Sequence, residues 1–276
     1  MIPAPFDYRR AASVDEAVAL LAEHGDDAKL LAGGHSLLPL MKLRLAQPAV
    51  LVDLGGIGEL SSVTQDGGTV RIGAMTRHHD VATSGLVREQ VPLLAEVAGQ
   101  IGDPQVRHRG TIGGSLAHGD PASDLPAVLL ALRGTVVARG PSGERTIAAD
   151  ELFRGFLETA LEPDEVLTEV RVPAVPGVGW AFEKFTRRAQ DWAIVAAAAV
   201  LGDGDVGPGV ALVNMGSAPV RAGGVEEALR SGLGAGEAAA RAGEGTEPPD
   251  DLNASPEYRL HLAGVLVRRA LEAAGA

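Results

Sequence analysis

The chain of 276 residues contains no cysteine, and this absence excludes more than any other feature of its composition. Without a thiol there can be no disulfide, no cysteine-ligated iron–sulfur cluster, no thiolate nucleophile and no cysteinyl link to a flavin. A chain without disulfides also fits a reducing compartment. We therefore expect a cytoplasmic protein whose own chemistry does not depend on thiols.

Basic residues and long apolar runs are also scarce. Lys and Arg number 24 against 36 Asp and Glu, which gives a net charge of −12, so nucleic acid is not an expected partner. The longest apolar run, residues 192–201, is only about half of a membrane span. Residues 1–10 contain no apolar stretch of the length that a signal peptide needs. We expect no membrane span.

What is present is an ordinary globular mixture, with 46% hydrophobic and 22% charged residues. The length is comfortable for two domains. Strands and helices interleave up to about residue 173, with a capped helix over 13–24, a hairpin over 63–74 and a strand over 165–173. Residues 173–177 are rich in Pro and Gly and are the best candidate for a linker. Glycine-rich stretches at 202–209 and 234–245 predict mobile loops.

The first of two Gly-Gly loops follows an apolar run, residues 29–32, that predicts a buried strand. Residues 32–36 read Ala-Gly-Gly-His-Ser. Backbone N–H groups in such a turn point the same way and can form a nest for anionic oxygens, and glycine lets a phosphate approach the backbone. The alternative is a tight turn from strand to helix that holds no ligand.

The second loop, residues 109–126, again places Gly-Gly after an apolar residue, with hydroxyls at Thr111 and Ser115. Asp124 follows nine residues after Ser115, where it is either a helix N-cap or an acceptor for ribose or ribityl hydroxyls. Neither loop has the Gly-x-Gly-x-x-Gly or Gly-x-x-x-x-Gly-Lys pattern of the common nucleotide-binding motifs. Two separate Gly-Gly nests suit a diphosphate that is held from both sides, which favours a dinucleotide.

Four motifs together resemble one known family. They are residues 32–36, residues 111–115 with Asp124, residues 182–193, and the Pro-Gln-Val-Arg-His-Arg-Gly segment at 104–110. The chain is similar to the FAD-binding medium subunits of molybdenum hydroxylases, a family that includes the medium subunit of aerobic carbon monoxide dehydrogenase and the flavin domain of xanthine dehydrogenase. The resemblance runs from Phe6 to the C-terminal helix, with the motifs in the same order.

The resemblance implies an α+β fold in two parts. A PCMH-type FAD-binding domain would occupy residues 1–175, with subdomains at about 1–54 and 55–175. A smaller α+β domain would occupy residues 176–276, and the proposed linker falls at this junction.

The resemblance also implies a site for non-covalent FAD, since there is no cysteine and His35 lies in the phosphate loop. Lys184 would approach the flavin ring, where a positive charge stabilises the reduced form; the alternative is a solvated strand lysine. Trp192 would shape the approach to the flavin, or would be a half-buried core residue. Histidines lack the spacing of metal ligands, so we expect no metal site and no catalytic residue on this chain. The implied cofactor contacts are Ala32, Gly33, Gly34, His35, Ser36, Ile101, Thr111, Ile112, Gly113, Gly114, Ser115, Asp124, Leu167, Lys184 and Trp192.

One departure concerns the second loop, which in the family commonly ends in Asn or Asp. Here Ser115 occupies that position, and its shorter side chain could reach the cofactor through a water molecule.

The resemblance finally implies partners. In this family electrons leave a molybdenum site, cross two [2Fe–2S] clusters and reach FAD, but this chain has no cysteine for the clusters. It would therefore work with a large molybdenum-cofactor subunit and a small iron–sulfur subunit, in a dimer of heterotrimers, and would pass electrons through FAD to an external acceptor. The substrate remains open among carbon monoxide, an N-heterocycle and an aldehyde, and the acceptor among quinone, oxygen, cytochrome and NAD.

Two other functions are compatible with the sequence. The first is a free-standing flavin oxidoreductase of the same superfamily, which would need its own acid and substrate pocket. The second is a flavin-free interaction subunit that kept the fold. The glycine pairs, Asp124 and Lys184 argue against the second, although Ser115 leaves it open.

Overall fold

The N-terminal part of the chain is built on a small parallel sheet. The computed structural model describes residues 2–202 and 207–276. Helix α1 (Val14–His24) packs on the sheet; Ser13 Oγ accepts from the N–H of Glu16 at 3.1 Å, and Gly25 ends the helix with a φ of 53°. The predicted helix and its N-cap are confirmed. In sheet order the strands are β1 (Asp7–Arg10), β3 (Val50–Asp53) and β2 (Ala28–Leu31).

An antiparallel sheet of five strands forms the middle of the chain. The predicted hairpin is present, and Gly67, with a φ of 57°, makes its turn. A separate two-stranded ribbon, β8 (Phe153–Gly155) and β9 (Glu158–Thr159), falls between the last two of these strands in the sequence. In sheet order the five strands are β4 (Val63–Asp66), β5 (Thr69–Gly73), β10 (Val166–Pro173), β6 (Thr135–Gly140) and β7 (Gly143–Ala148).

Eight short helices accompany these two sheets in the described part of the chain after α1. The sequence predicted three of them, starting near residues 76, 92 and 125. Two others were not predicted: one begins directly after the first glycine loop, and one includes the glycines of the second. The eight are α2 (Leu37–Lys42), α3 (His78–Thr83), α4 (Gly85–Gln90), α5 (Pro92–Gln100), α6 (Pro104–Arg107), α7 (Ile112–His118), α8 (Asp124–Ala131) and α9 (Ala149–Leu152).

The C-terminal part has a four-stranded antiparallel sheet and three helices. Residues 203–206, inside the glycine-rich loop predicted at 202–209, lie outside the described residues. The prediction of a mobile loop at 234–245 is wrong in part, because a short helix, α11, forms there from an alanine-rich run. Among the described residues no helix is long and apolar enough to cross a membrane. The elements are β11 (Trp180–Phe185), β12 (Val195–Leu201), β13 (Pro208–Val213), β14 (Val220–Arg221), α10 (Gly223–Arg230), α11 (Ala235–Ala239) and α12 (Pro256–Ala274).

Strand β12 explains the alanine-rich run in the sequence. Ala196 and Ala198 face a core that includes α5 and α8, whereas Ala197 and Ala199 face a second core that includes α12. Small side chains suit a strand that is covered closely on both faces. The C-terminal sheet therefore shares a hydrophobic core with the middle of the chain. The division into domains at 175/176 stays a prediction.

Candidate functional site

The two glycine loops lie directly against each other, although about eighty residues separate them in the sequence. A Cβ atom on Gly33 would lie 2.8 Å from the Cα of Gly110 and closer still to the carbonyl oxygen of Arg109. Gly114 faces Ala32, whose Cβ lies 3.6 Å from the position of a Cβ on Gly114. Only glycine allows backbones to approach this closely. The loops thus form one structural unit.

The first loop, residues 32–36, leaves its backbone donors available. Within residues 2–202 and 207–276, the N–H groups of residues 33–36 take part in no hydrogen bond. Gly34 has a φ of 77°, which favours glycine, and His35 is exposed to solvent. A row of N–H groups without internal acceptors is the feature that holds anionic oxygens. The first loop therefore fits a diphosphate.

The second loop uses its N–H groups inside the chain. Thr111 is the N-cap of α7, and its Oγ1 accepts from the N–H of Gly114 at 3.1 Å. Because these donors are taken, the loop offers a ligand mainly its surface and the half-buried hydroxyl of Ser115. The remaining bonds are Ile112 to Thr76 O at 3.0 Å, Gly113 to Ala74 O at 2.9 Å and Ser115 to Thr111 O at 3.1 Å.

A buried histidine lies under this pair of loops. The ring of His78 packs against Gly110, where a Cβ would lie 2.7 Å from His78 Cδ2, and the backbone N–H of His78 donates to Gly110 O at 3.0 Å. Burial lowers the pKa of His78 to about 4, with smaller contributions from His35, Arg77 and Arg107. The imidazole is therefore neutral at neutral pH. Its Nδ1 has no hydrogen-bond partner among the described residues.

Lys184 and Asp124 form an ion pair that is almost fully buried. Lys184 Nζ donates to Asp124 Oδ2 at 2.7 Å, and the side chains are 12% and 5% exposed. Burial raises the pKa of Asp124, and the charge of Lys184 opposes this shift. Asp124 Oδ1 has no partner among the described residues, so it can accept from a ligand hydroxyl.

The structure contradicts the two alternative interpretations, a helix N-cap for Asp124 and a solvated strand lysine for Lys184. Asp124 is the first residue of α8 and not its cap, a position that Ser123 holds. Lys184 is not a solvated strand lysine, because it lies beneath the surface on β11.

A cleft of about 270 Å³ lies between residues 120–122 and residues 191–194, on the side of the Asp124 segment. Trp192 lines this cleft and is 59% exposed, so the prediction of a half-buried core residue is wrong. Phe156, at the tip of the ribbon of β8 and β9, lines the same cleft and is also exposed. Two exposed aromatic rings at one cleft are suited to a flat ligand.

Two polar residues that we did not predict hold the segment after Trp192. The buried guanidinium of Arg259 donates to Ile194 O and to Asp251 Oδ2, the latter at 2.8 Å. Asn214 donates from Nδ2 to Ala193 O at 2.9 Å and from its backbone N–H to Pro121 O at 2.8 Å. A signal existed for Arg259, which falls on the apolar stripe of α12, three residues before Leu262. None existed for Asn214.

The remaining candidates are apolar. Leu167 on β10 and Ile112 on α7 are buried in the main core, and Ile101 is packed against it. Helix α7 contacts both β10 and α8, which brings the second loop close to the Lys184–Asp124 pair. Among the described residues, no group of three or more His, Cys, Asp or Glu side chains could hold a metal ion.

These features fit FAD. The first loop suits the diphosphate, the free oxygen of Asp124 suits a sugar or ribityl hydroxyl, and the cleft at Trp192 suits a planar ring. The absence of side chains at Gly33 and Gly114 lets the two loops pack against each other, which sets the donors of the first loop beside the second.

Comparison with known proteins agrees with this geometry. Residues 4–175 match the model of the FAD binding domain in molybdopterin dehydrogenase, and residues 180–274 match that of the CO dehydrogenase flavoprotein C-terminal domain. The chain belongs to this family of flavoprotein subunits. The family resemblance and the α+β fold class inferred from the sequence are confirmed.

Individual relatives match over nearly the full chain. The carbon monoxide dehydrogenase medium chain of Hydrogenophaga pseudoflava is 46% identical, with 100% of this chain and 99% of the relative covered. The nicotine 6-hydroxylase medium subunit of Paenarthrobacter nicotinovorans is 40% identical, with 98% and 97% covered. A solved carbon monoxide dehydrogenase structure from H. pseudoflava superposes with a TM-score of 0.95 at 48% identity, covering 99% and 98% of the two chains.

Proposed function

We propose that this chain is the FAD-binding medium subunit of a heterotrimeric molybdenum hydroxylase of the carbon monoxide dehydrogenase type. Its partners would be a large molybdenum-cofactor subunit and a small [2Fe–2S] subunit, assembled in the cytoplasm as a dimer of heterotrimers. The observation that carries the proposal is the row of N–H groups at residues 33–36, which have no acceptor among the described residues, in a loop whose Gly33 packs against the second glycine loop.

Within this proposal each part of the site has a task. The N–H groups of the first loop bind the diphosphate next to Ala32, and Gly114 and Ser115 form the opposite wall. The free oxygen of Asp124 accepts from a hydroxyl of the cofactor. The other proposed contacts are Gly33, Gly34, His35, Ser36, Ile101, Thr111, Ile112, Gly113, Leu167, Lys184 and Trp192, of which Thr111, Ile112 and Leu167 are buried and act mainly by shaping the site.

The bound flavin would supply reversible electron transfer between partner clusters and an external acceptor. The chain itself supplies a fixed positive charge. Lys184 is held by Asp124 in a site from which water is largely excluded; the carboxylate offsets part of its charge, and the pair presents a fixed dipole whose positive end is Lys184 Nζ. Attachment would be non-covalent, since the chain has no cysteine and His35 lies in the loop that we assign to the diphosphate and not at the ring.

The proposal leaves substrate choice to the large subunit. Medium chains of enzymes named for carbon monoxide and for nicotine are 46% and 40% identical to this chain. Such similar identities to relatives named for such different substrates support the proposal that the medium chain has an electron-transfer task independent of the substrate. We favour the carbon monoxide dehydrogenase type because the family model of residues 180–274 and the solved structure both carry that name.

Purification of the tagged chain from its native host tests the proposal. We expect two co-purifying subunits, an absorption spectrum with flavin and iron–sulfur bands, and one FAD per chain in the supernatant after acid precipitation. A chain that purifies alone with flavin and oxidises a substrate would instead support a free-standing oxidoreductase. Partners without any flavin would support a flavin-free interaction subunit. Either result would overturn the proposal.

A second experiment tests the role of Lys184. Lys184→Met in the assembled complex removes the buried charge, and we expect the flavin reduction potential to fall because the reduced ring loses its stabilising cation. Lys29→Met is the matched control, since Lys29 is exposed. Equal potentials for the two variants would assign Lys184 a purely structural role.

A further inference from the structure

Two basic tripeptides, well separated in the sequence, meet in the fold. Residues 77–79 read Arg-His-His, and residues 107–109 read Arg-His-Arg. The rings of His79 and His108 stack with their centroids 4.1 Å apart, which joins the two segments. We call these two tripeptides the basic cluster. It concentrates basic side chains in one region of a chain whose net charge is −12.

The three arginines of the basic cluster have no acidic partner. In the part of the chain that the structure describes, Arg77, Arg107 and Arg109 form no ion pair with a carboxylate. Arg77 donates to the carbonyl oxygen of Arg109, and Arg107 donates to those of residues 101 and 102 at 3.1 and 3.0 Å. The side chain of Arg109 is exposed and makes no hydrogen bond with another described residue. Carbonyl groups are neutral, so these contacts leave the charges of the guanidiniums uncompensated.

Arg77 and Arg109 also repel each other. Burial lowers the pKa of Arg77, the charge of Arg109 lowers it further, and Asp80 and Asp53 oppose the shift without forming an ion pair with it. A guanidinium keeps its proton at neutral pH, so the fold holds two like charges near each other. A bound anion would relieve this repulsion, because an opposite charge nearby favours the charged form of each arginine.

The basic cluster borders the first glycine loop. A Cβ on Gly33 would collide with the carbonyl oxygen of Arg109, which is the same oxygen that accepts from Arg77. The guanidinium of Arg77 and the start of the loop therefore lie on one carbonyl group. His35, which belongs to the row of N–H groups without acceptors in the described chain, lies near enough to His78 for their charges to interact. The free donors of the loop and the cations of the cluster thus share one region.

A diphosphate needs more than the neutral donors of the first loop. It carries a negative charge on each phosphate, and backbone N–H groups orient these charges without neutralising them. The net charge of −12 makes the field of the rest of the chain unfavourable for such a ligand. Arg77 and Arg109 supply one positive charge for each phosphate. The planar guanidinium also matches phosphate oxygens with two parallel hydrogen bonds.

We propose that Arg77 and Arg109 of the basic cluster bind the diphosphate of FAD and neutralise its charge, beside the N–H groups of the first loop. The inference rests on the proposed function and adds to it two contacts that lie outside both Gly-Gly pairs. Arg107 has a supporting task, because its bonds to residues 101 and 102 hold the turn before the second loop. A free anion such as inorganic phosphate has the same chemistry, and the experiments below distinguish it from FAD.

Replacement of Arg109 tests the inference in the assembled complex after removal of its FAD. Arg109 is the sharper position, because its side chain makes no hydrogen bond or ion pair with the described chain. We expect Arg109→Met to weaken FAD binding about tenfold, and the double variant with Arg77→Met about a hundredfold, in a fluorescence titration. Arg269→Met, an exposed position on α12, is the matched control and should bind FAD like the wild type. Circular dichroism verifies that the variants are folded.

The salt dependence of the FAD affinity separates a charge contact from a structural role. Ions screen exposed charges, so the affinity of the wild type should fall as NaCl rises from about 0.05 M to about 0.5 M. The affinity of Arg109→Met should fall less steeply. Arg109→Lys keeps the charge and should keep the salt dependence of the wild type. A variant that only loosened the loop would instead lower the affinity by the same factor at every salt concentration.

Inorganic phosphate, added at constant ionic strength, distinguishes the two sources of the anion. If the FAD diphosphate occupies the basic cluster, phosphate competes with it and raises the apparent Kd of FAD in the wild type more than in the double variant. If the cluster holds a separate anion, phosphate leaves the Kd of FAD unchanged, and the double variant binds FAD like the wild type. The second pattern would overturn the inference.

Equal salt dependence in the wild type and Arg109→Met, or its loss in Arg109→Lys, would also overturn the inference. The proposed function fails in a different way. It is contradicted by the wild-type chain alone, which would then purify without flavin or without partner subunits. A wild-type complex that binds FAD and a double variant that binds it equally well would therefore reject the role of the two arginines and leave the proposed function in place.

Discussion

The two glycine loops share a motif but differ in where their N–H groups go. Both place Gly-Gly after an apolar residue, but the first pair precedes α2, whereas the second pair lies in the first turn of α7. In the first loop the N–H groups of residues 33–36 have no acceptor within the described chain, while in the second those of residues 112–115 are all bonded internally. The same dipeptide thus leaves one loop with unpaired donors, which we propose bind the cofactor, and makes the other a support. A Gly-Gly motif alone does not identify an anion site; the bonding of its donors does.

The largest expected effect follows from Gly33→Ala. The added Cβ would collide with the backbone at Arg109 and Gly110 and push the binding loop away from its support. We expect FAD affinity to fall about 1,000-fold, equivalent to about 4 kcal/mol, in a fluorescence titration of the assembled complex. Gly85→Ala is the control, because a Cβ on Gly85 meets no atom within 4 Å. An FAD affinity equal to that of the wild type in Gly33→Ala would contradict the proposal that the first loop binds FAD and the second supports it.

Gly113→Ala should act mainly on stability. Its Cβ would lie 2.7 Å from Ala74 O and 2.5 Å from Ala74 Cβ, inside the core. Overpacking of this kind costs about 3 kcal/mol in the free energy of unfolding, which urea denaturation measures. The FAD affinity of the molecules that remain folded should change less than in Gly33→Ala. A larger loss of FAD affinity in Gly113→Ala than in Gly33→Ala, with little loss of stability, would mean that the second loop is the main binding surface.

The histidine under the second loop predicts a dependence of stability on pH. The pKa of His78 is about 4 in the folded chain, below the ordinary value of 6.5, so between these values the unfolded chain binds more protons. Stability is therefore lost as the pH falls from about 6.5 towards 4. Relative to His78→Gln, the wild type should lose about 2 kcal/mol more between pH 7 and pH 5. If the wild type and His78→Gln lost the same stability between pH 7 and pH 5, His78 would not support the loop as a neutral ring.

The smallest expected effect concerns Ser115. Its hydroxyl is the one polar side chain of residues 112–115, and a contact through water contributes little. We expect Ser115→Ala to weaken FAD binding about twofold, or about 0.4 kcal/mol, in the same titration. A loss of FAD affinity of about a hundredfold would show that the second loop also binds the cofactor directly. The two loops would then differ less in function than we propose.

Local signals predicted those parts of the fold that local physics determines. Ser13 and Gly25 delimit α1, and Gly67 makes the hairpin turn, because caps and turns depend on neighbouring residues. Helix α11 was missed because glycine surrounds its short alanine run. The proposed site residues came from the motifs and their family resemblance.

The rest of the site depends on contacts between distant residues. Lys184 and Asp124 are 60 residues apart, and nothing near either one shows that they pair. Whether the N–H groups of the second loop are hydrogen-bonded depends likewise on residues 74 and 76. Their carbonyl oxygens accept two of these bonds, and no motif includes either residue. Such facts require the folded chain, since they follow from packing and not from local sequence.

The most direct test of the central claim is the FAD content of the chain purified with its partners, compared between the wild type and Gly33→Ala. The account predicts one acid-releasable FAD per wild-type chain and almost none in Gly33→Ala, with both chains folded and Gly85→Ala equal to the wild type. Equal FAD in the wild type and Gly33→Ala, or flavin that stays with the precipitated polypeptide, would contradict it.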